Sequence, residues 1–488
     1  MKRARIRARR VEPAVRRASA RIHFGTSGWR GILGEDVDFP RLRVLVRAVA
    51  DWVREGSSGD RILIGFDGRF ASEEMAICAA RVLVDEGLRP ELATRISPTP
   101  AITHALAHRR CAAGLVLTAS HNPPAYHGMK VFGPRGAPIP DPDARRIEEL
   151  AGLRLGDDGP PSSERLGRRL DFRPSHERAI AALLDRDAFR DFPLTVVFDA
   201  MHGAAAGSID SILPETGARV RTLRSSIDPR FGGTAPDPNA DNLSLLASEV
   251  GKTKGLVVGL ATDGDGDRFG VVDGRGRWLT ETQVVALLVD HLAGRGLLRR
   301  GIAISAATGS LVEKVARDHG LSVTRHPIGF KWLSAAIGTG RADAAGEESG
   351  GFAYAPIGPD KDGVLAGCLI ADRVVHSGEP LEDQVETLEA RFGPSACGRA
   401  ALRATVESAR AFEELERDPP DRFGRARVVG VDGQWGLRLD LSDGGFVMWR
   451  RSGTEPLVRV YAEAGDARAL VRRLQLALRF LQGRARSR

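Results

Sequence analysis

GLVVGLATDGDGDR, residues 255–268, joins a buried-strand pattern directly to a cluster of acidic residues. The apolar run 255–263 is short and ends in a Gly-rich turn, which predicts a strand of a parallel sheet. Asp263, Asp265 and Asp267 alternate with glycines, so their carboxylates project to one side of an extended chain. Open parallel sheets place ligands at the carboxyl ends of their strands. This stretch therefore predicts an α/β fold with a site at the sheet edge.

The acidic cluster predicts a magnesium site. Three converging carboxylates repel one another unless a cation neutralises them. Hard oxygen ligands suit Mg²⁺, which usually keeps room for a phosphate oxygen. An EF-hand loop is excluded, because Arg268 and Gly274 stand at the sixth and twelfth positions, where that loop needs Gly and Glu. A solvated acidic turn is the alternative.

The alternation of strands and helices extends outward from this stretch. Further strands are predicted from short apolar runs at 61–67, 114–119, 195–200 and 302–308. Helices are predicted from apolar residues at helical spacing in 42–53, 71–86 and 281–293. This alternation predicts parallel α/β layers. Towards the C-terminus the pattern changes to alternating strands (437–442, 457–464) and a closing amphipathic helix with Leu470, Leu474, Leu478 and Leu481 on one face.

Three breaks divide the chain into four predicted units. They are a Gly-, Pro- and Arg-rich linker at 154–175, the turn DGRGRW at 273–278, and FGPSACG at 392–398. The expected limits are 1–21 for a basic tail, 22–165, 166–277 and 278–393 for three α/β domains, and 394–488 for an α+β domain.

The excess positive charge lies in the tail. Residues 1–21 contain nine Lys or Arg and one acidic residue, and the other residues are formally neutral. We therefore expect no nucleic-acid binding by the folded body. A disordered, solvated tail is expected, with a transit peptide or a weak nucleic-acid contact as alternatives. No run approaches the ~18 apolar residues of a membrane span, so we expect no membrane protein.

The cysteines predict a reducing compartment. Cys78, Cys111, Cys368 and Cys397 lie far apart and show no CxxC spacing. We expect free thiols in a cytoplasmic protein, with neither zinc ligands nor a disulfide framework.

TASHNPP, residues 118–124, places Ser120 just past a predicted strand, beside His121 and Asn122. A loop serine is usually a turn former. No GxSxG elbow is present, so acyl transfer is weakly supported. A serine that carries phosphate would need cations and a metal nearby.

Two Gly-rich motifs point to sugar and phosphate recognition. GEESGG, residues 346–351, sets Glu347 among small residues, where its carboxylate could accept from sugar hydroxyls. RRSGTEP, residues 450–456, groups donors that could surround a phosphate dianion, with Arg459 nearby. FGTSGWRG, residues 24–31, offers Arg30 as another phosphate contact. Taken alone, each is also compatible with an ordinary polar turn.

Taken in order, these motifs resemble the α-D-phosphohexomutase superfamily, the phosphoglucomutases and phosphomannomutases. The resemblance runs from about residue 22 to about residue 480. It implies three related α/β domains with mixed or parallel sheets and a smaller C-terminal α+β domain around a central cleft. In chain order these domains would carry the phosphoserine, metal-binding, sugar-binding and phosphate-binding loops.

The resemblance also implies residue roles. Ser120 matches the phosphoserine, which would also be a metal ligand beside Asp263, Asp265 and Asp267. Catalytic-cleft residues are matched by Arg30, His121, Lys130 and Arg268. Substrate contacts are matched by Glu347, Ser349, Arg450, Ser452, Gly453 and Thr454, with Arg459 beside them.

Lys130 and Lys331 are candidates for proton transfer. The chain has only seven lysines against a large excess of arginine. Arginine stays protonated near pH 7, whereas a lysine with a lowered pKa can accept a proton. Solvated surface lysines are the alternative.

The implied reaction interconverts hexose 1-phosphate and hexose 6-phosphate through a phosphoserine enzyme and a bound 1,6-bisphosphate. The implied cofactors are Mg²⁺ and glucose 1,6-bisphosphate, and the partners are small sugar phosphates. Gly351 stands where members acting on mannose or glucosamine often carry His, and HPIGFKW (326–332) resembles the glucose-type segment, so glucose is favoured. A phosphomannomutase, a dual-specificity enzyme, a phosphoglucosamine mutase, a metal-dependent sugar phosphatase and a sugar-phosphate sensor are the alternatives.

Overall fold

A computed structural model describes residues 22–25, 28–56, 59–452 and 456–482. The predicted basic tail at 1–21 lies outside these residues, and so do Gly453 and Thr454 of the predicted phosphate loop. Four β-sheets follow one another along the described chain. Within those residues no helix combines the length and the apolar character needed to cross a bilayer.

The first unit is built on a mixed sheet. Its strands are β1 (Phe24–Gly25), β2 (Gly28–Ile32), β3 (Arg61–Phe66), β4 (Arg89–Ala93), β5 (Ala113–Leu117), β6 (Tyr126–Phe132) and β7 (Arg168–Leu170). Its helices are α1 (Phe39–Gly56), α2 (Ser72–Asp85), α3 (Thr99–His108) and α4 (Asp141–Leu153). The strand order is β1-β2-β6-β5-β3-β4-β7. Within this order, the four neighbouring strands β5, β3, β4 and β7 run parallel to one another. The predicted strands at 61–67 and 114–119 are confirmed as β3 and β5.

β7 lies inside the segment predicted as a linker. Its residues pair in parallel with Glu91–Ala93 of β4. The linker prediction is wrong for these residues, because an edge strand with exposed side chains needs only backbone hydrogen bonds and leaves no apolar signal in the sequence. The first sheet therefore extends past residue 165, and the domain limits themselves remain predictions.

The second unit carries the stretch 255–268. Its helices are α5 (Arg173–Ala181), α6 (Arg186–Asp191), α7 (Ile209–Ile212) and α8 (Ser244–Gly251). Its strands are β8 (Thr195–Asp199), β9 (Arg219–Leu223), β10 (Val257–Thr262) and β11 (Phe269–Val272), in the order β11-β10-β8-β9. Every residue of β10 is buried, and β10 pairs in parallel with β8. The acidic cluster thus begins directly after a central strand, as predicted.

The third unit shares an apolar core with the second. Its strands are β12 (Gly301–Ser305), β13 (Ser322–His326), β14 (Ala344–Glu347) and β15 (Gly351–Tyr354), in the order β13-β12-β14-β15. Its helices are α9 (Glu281–Gly294), α10 (Ser310–Asp318), α11 (Phe330–Gly338), α12 (Gly363–Ser377) and α13 (Leu381–Phe392). One core cluster includes Leu260 of β10, Leu288 of α9 and Leu369 of α12. This shared core joins the third unit to β10 and the acidic loop that follows it, residues 263–268, which we call the metal loop.

The fourth unit has an antiparallel sheet and its own core. Its elements are β16 (Ala396–Arg403), α14 (Val406–Arg417), β17 (Arg422–Phe423), β18 (Ala426–Asp432), β19 (Leu437–Leu441), β20 (Phe446–Arg451), β21 (Leu457–Ala464) and α15 (Ala467–Leu481). The strand order is β16-β21-β20-β19-β18-β17. Leu474, Leu478 and Leu481 of α15 pack against the core that contains Trp449. The predicted fold class, three α/β units followed by an α+β unit, is confirmed.

Candidate active site

Ser120 and the metal loop meet at the junction of the first two units. Ser120 follows β5, and its hydroxyl donates to Asp263 Oδ2 at 2.6 Å. Both residues are fully buried. The backbone of Ser120 lies in the left-handed region, with φ of 52°. Its N–H donates to Thr118 Oγ1 at 2.8 Å, which helps to hold this conformation. A Cβ at Gly264 would lie 2.6 Å from the Ser120 carbonyl oxygen, so the close approach of the two loops requires glycine.

Arg69, which the sequence did not indicate, holds the loop that carries Ser120 (residues 118–126, called the serine loop). Its side chain is buried, and its guanidinium donates to four backbone carbonyl oxygens at 2.6–3.0 Å: those of Ser120, Asn122, Pro123 and Tyr126. Asp67 and Arg69 both follow β3, and Asp67 accepts from the Thr118 hydroxyl at 2.6 Å. Asp67 is the last residue of the predicted strand 61–67 and Arg69 lies two residues beyond it, so the rule that ligands bind at the carboxyl ends of parallel strands could have identified them.

The three aspartates form a compact group of oxygen ligands. One carboxylate oxygen from each of Asp263, Asp265 and Asp267 lies within 4.8 Å of the others, and all three residues are buried. Asp263 Oδ1 accepts the backbone N–H groups of Asp267 at 2.9 Å and Arg268 at 3.1 Å, which shapes the turn. Asp265 Oδ1 and Asp267 Oδ1 are buried without a hydrogen-bond partner among the described residues. Buried carboxylate oxygens of this kind fit a hard divalent cation such as Mg²⁺.

Two lysines balance the charge of the aspartates. Lys130 Nζ donates to Asp265 Oδ2 at 2.6 Å and also contacts Asp267 Oδ2. Lys361 Nζ donates to Asp267 Oδ2 at 2.7 Å. Burial alone would lower the pKa of Lys130, but Asp265 and Asp267 outweigh it and raise that pKa above its ordinary value. Lys130 is therefore a cation here, and its role in proton transfer remains a prediction. Lys361 was missed, although the rarity of lysine applied to it equally.

Arg30, His121 and Arg268 surround the serine and metal loops. Arg30 Nη1 donates to Asn122 Oδ1 at 3.0 Å. Arg268 Nη1 lies 3.7 Å from Asp237 Oδ1. Burial, followed by the charges of Arg268 and Arg30, lowers the pKa of His121 well below its usual range. The site is therefore rich in fixed positive charge, with a neutral imidazole beside Ser120.

The predicted sugar loop adjoins the metal loop through the backbone. The N–H of Phe269 donates to the Gly350 carbonyl at 3.0 Å, and Arg268 forms an antiparallel bridge with Gly351. Glu347 is buried and accepts from the Ser349 hydroxyl. The structure thus brings Glu347 and Ser349 into the neighbourhood of the aspartates.

A pocket between the first and third units opens beside Asp267. Its lining includes Gly28, Lys130, Lys331, Asp360 and Lys361. Lys331 contacts the Asp141 carboxylate at the start of α4, and its ammonium lies 5.6 Å from the centre of the Trp332 ring. The predicted Lys331 therefore lines the cleft, where it is paired with a carboxylate of the first unit.

The predicted phosphate loop lies in the fourth unit. Arg450 of β20 and Arg459 of β21 are direct cross-strand partners. Side chains of such partners share one face of the sheet. The N–H of Ser452 donates to the Leu457 carbonyl at 2.9 Å. The structure therefore brings Arg450 and Arg459 together, and their role in binding a phosphate remains a prediction.

The fourth unit packs against the third through hydrogen bonds. Arg438 Nη1 donates to the Ala306 carbonyl at 2.6 Å, just after β12. Ser310 Oγ donates to Glu463 Oε1 at 2.8 Å. These contacts attach the sheet that bears the phosphate loop to the unit that bears the sugar loop.

Comparison with known proteins identifies the four units. Alpha/beta/alpha domains I, II and III of the phosphoglucomutase/phosphomannomutase family match residues 21–152, 175–276 and 280–392, and the C-terminal domain of that family matches 398–479. The chain belongs to this family of phosphohexomutases, and the resemblance drawn from the motifs is confirmed. It is therefore an enzyme that transfers a phosphoryl group within a sugar phosphate.

Similar proteins cover nearly the whole chain. A phosphoglucomutase/phosphomannomutase of Thermococcus kodakarensis is 28% identical over 94% of this chain and 98% of its own. A phosphoglucosamine mutase of Mycolicibacterium paratuberculosis is 28% identical over 91% and 95%. The crystal structure of a Thermus thermophilus protein described as a candidate phosphomannomutase is 31% identical, with a TM-score of 0.84 and coverage of 95% and 100%. These relatives differ in the sugar they are named for.

Proposed function

We propose that the protein interconverts glucose 1-phosphate and glucose 6-phosphate through phosphorylated Ser120 and enzyme-bound glucose 1,6-bisphosphate. The observation that carries this proposal is the position of Ser120 Oγ, 2.6 Å from Asp263 in a buried group of three aspartates. A serine at this place can hold a phosphoryl group where a divalent cation and several basic side chains reach it.

Each half-reaction exchanges one P–O bond for another. The bond between phosphorus and Ser120 Oγ breaks while a bond forms between phosphorus and a sugar hydroxyl oxygen, and the hydroxyl proton passes to a base in the cleft. The bisphosphate then turns around, and its other phosphoryl group returns to Ser120. Both orientations need the same contacts, so one site must accept a phosphate at either end of the sugar.

Phosphoryl transfer depends on positioning and on charge stabilisation. Asp263, Asp265 and Asp267, together with the phosphate on Ser120, would hold Mg²⁺, which when bound neutralises charge on the transferring group. Fixed positive charge comes from Arg30, Arg268 and the two buried lysines that already contact the aspartates. We assign hydroxyl recognition to Glu347 and Ser349, and the grip on the non-reacting phosphate to Arg450, Ser452, Gly453, Thr454 and Arg459.

Packing around Gly351 supports glucose as the sugar. A Cβ at this position would lie 2.9 Å from Phe330 Cδ2 and 3.0 Å from Lys361 Cδ. A histidine at 351 would therefore displace the lysine that contacts Asp267. With glycine at 351, these neighbours occupy the place of the side chain that the family resemblance associates with mannose or glucosamine.

The test is conversion of sugar phosphates by the purified enzyme. With glucose 1-phosphate, Mg²⁺ and a trace of glucose 1,6-bisphosphate, glucose 6-phosphate should form faster than the corresponding products from mannose 1-phosphate or glucosamine 1-phosphate. Ser120→Ala should abolish conversion, whereas Ser162→Ala, at an exposed serine of the first unit, should not. Faster turnover of another sugar would overturn the glucose assignment, and release of free phosphate without isomerisation would indicate a phosphatase.

A further inference from the structure

Histidines from the first two units hold both ends of the segment that carries Lys361. At one end, the Ile357 carbonyl oxygen lies 2.7 Å from His104 Nδ1 and 3.3 Å from His108 Nε2, both on α3. At the other end, Asp362 Oδ2 lies 2.6 Å from His176 Nε2 on α5. We call these three histidines the histidine clamp. None of them takes part in the mechanism above.

The chemistry of the partners fixes the protons of the clamp. A carbonyl or carboxylate oxygen only accepts, so His104 Nδ1 and His176 Nε2 carry the hydrogen. Burial lowers the pKa of His104 to about 4, which keeps it neutral near pH 7. His176 is fully buried, and its Nδ1 has no hydrogen-bond partner among the residues described. The clamp is therefore a set of directed donors aimed at one segment of the third unit.

The clamped segment ends at the metal loop. Lys361 precedes Asp362 directly, and its Nζ donates to Asp267 Oδ2 at 2.7 Å. Gly363, which follows Asp362, donates its N–H to the Gly266 carbonyl at 3.1 Å. A Cβ at Gly363 would lie 2.2 Å from the Arg268 carbonyl oxygen, so the two backbones are in tight contact. A shift at Asp362 would therefore move Lys361 relative to Asp267.

We propose that His104 and His176 are positioning residues. They hold residues 357–362 in place, so that the Lys361 ammonium contacts the Asp267 carboxylate where the first three units meet. The catalytic consequence rests on the proposed function, whereas the placement of Lys361 does not. A purely structural role is the competing explanation. The molecule offers a matched pair for comparison, because His291 on α9 and Asp372 on α12 are also buried and lie 2.8 Å apart.

A double-mutant cycle separates the two explanations. His176→Phe removes the donor and keeps a ring, and Lys361→Met removes the ammonium. If His176 acts through Lys361, each single change should lower kcat by roughly 10- to 100-fold, and the double variant should be little worse than Lys361→Met alone. His176→Asn, which retains a donor, should recover part of the loss. His291→Phe should combine additively with Lys361→Met. Additive losses for His176→Phe, or no recovery by His176→Asn, would overturn the proposal.

Mg²⁺ binding supplies a readout that does not depend on activity. The Lys361 ammonium competes with a cation for Asp267 Oδ2, so Lys361→Met should tighten Mg²⁺ binding severalfold in calorimetry without sugar phosphate. His176→Phe should reproduce this tighter binding, and His291→Phe should not. If His176→Phe does not fold, His104→Leu replaces it in the experiment. Unchanged Mg²⁺ affinity in the clamp variants contradicts the proposal. A wild-type enzyme inactive on every hexose phosphate would instead refute the proposed function, and the Mg²⁺ measurement would still decide the role of the clamp.

Discussion

Loss of Arg69 should disturb the serine loop. Its guanidinium donates four hydrogen bonds to the loop backbone. Hydrogen bonds to a charged group contribute about 1.5–3 kcal/mol each, and water entering the gap would restore part of this, so Arg69→Met should lower the free energy of unfolding by roughly 3–5 kcal/mol. Ser120 would lose a restraint on its left-handed backbone, and a displacement of ~1 Å costs about 10²-fold in rate.

The assay compares urea unfolding with conversion of glucose 1-phosphate for three variants. Arg69→Lys keeps the charge without the planar fork, so it should be intermediate in both measurements. The control is Arg146→Met, which removes exposed ion pairs to Glu55 and Glu149 and should leave both the urea unfolding and the turnover close to those of the wild type. If Arg69→Met were destabilised but turned over normally, the claim that this guanidinium positions Ser120 would be refuted.

Three further predictions concern the metal loop and the clamp. Asp265→Asn and Asp267→Asn should each weaken Mg²⁺ binding at least about tenfold in calorimetry, because each removes a charged ligand, and the exposed Asp383→Asn should not. Gly264→Ala places a methyl 2.6 Å from the Ser120 carbonyl oxygen and should reduce turnover by roughly tenfold or more. The control is Gly294→Ala, where a methyl would meet open space and turnover should not change. Equal turnover for the two variants would count against the close approach of the loops. Since the pKa of His104 falls from 6.5 to about 4 on folding, the unfolded chain takes up that proton first, and this residue should cost up to about 3 kcal/mol of stability as the pH falls from 6.5 to 4. Urea unfolding at pH 4.5 and pH 7 should show a smaller pH dependence for His104→Asn, and an unchanged dependence would contradict the assignment.

Much of the candidate site could be predicted because its signals are local in sequence. β10 and the aspartates that follow it form one continuous pattern, in which burial and acidic spacing coincide. Ser120 likewise follows a fully buried strand, β5. Strand ends of neighbouring units converge in this fold, so the placement of these residues followed from the α/β prediction.

The residues that sequence reasoning missed act over long sequence separations. Arg69 reaches a carbonyl 51 residues away, and Lys361 reaches a carboxylate 94 residues away. The spacing of apolar residues does not indicate which long side chain reaches a distant loop of the folded chain. The edge strand β7 was missed for a different reason, because its exposed arginines give no apolar pattern.

The electrostatic state of Lys130 also lay beyond the sequence. The rarity of lysine in the chain indicated a special role for Lys130. Its charge, however, depends on the carboxylates of Asp265 and Asp267, and these contacts form only in the folded chain. The same holds for Arg450 and Arg459, which become neighbours only through the register of β20 and β21.

Phosphate on Ser120 is the most direct test of the account. Active enzyme exposed to glucose 1,6-bisphosphate should show one phosphorylated residue by peptide mass spectrometry, at Ser120, and this phosphate should pass to added glucose 1-phosphate or glucose 6-phosphate. Active enzyme that never carries phosphate at Ser120, or that carries it at another residue, would contradict the central claim.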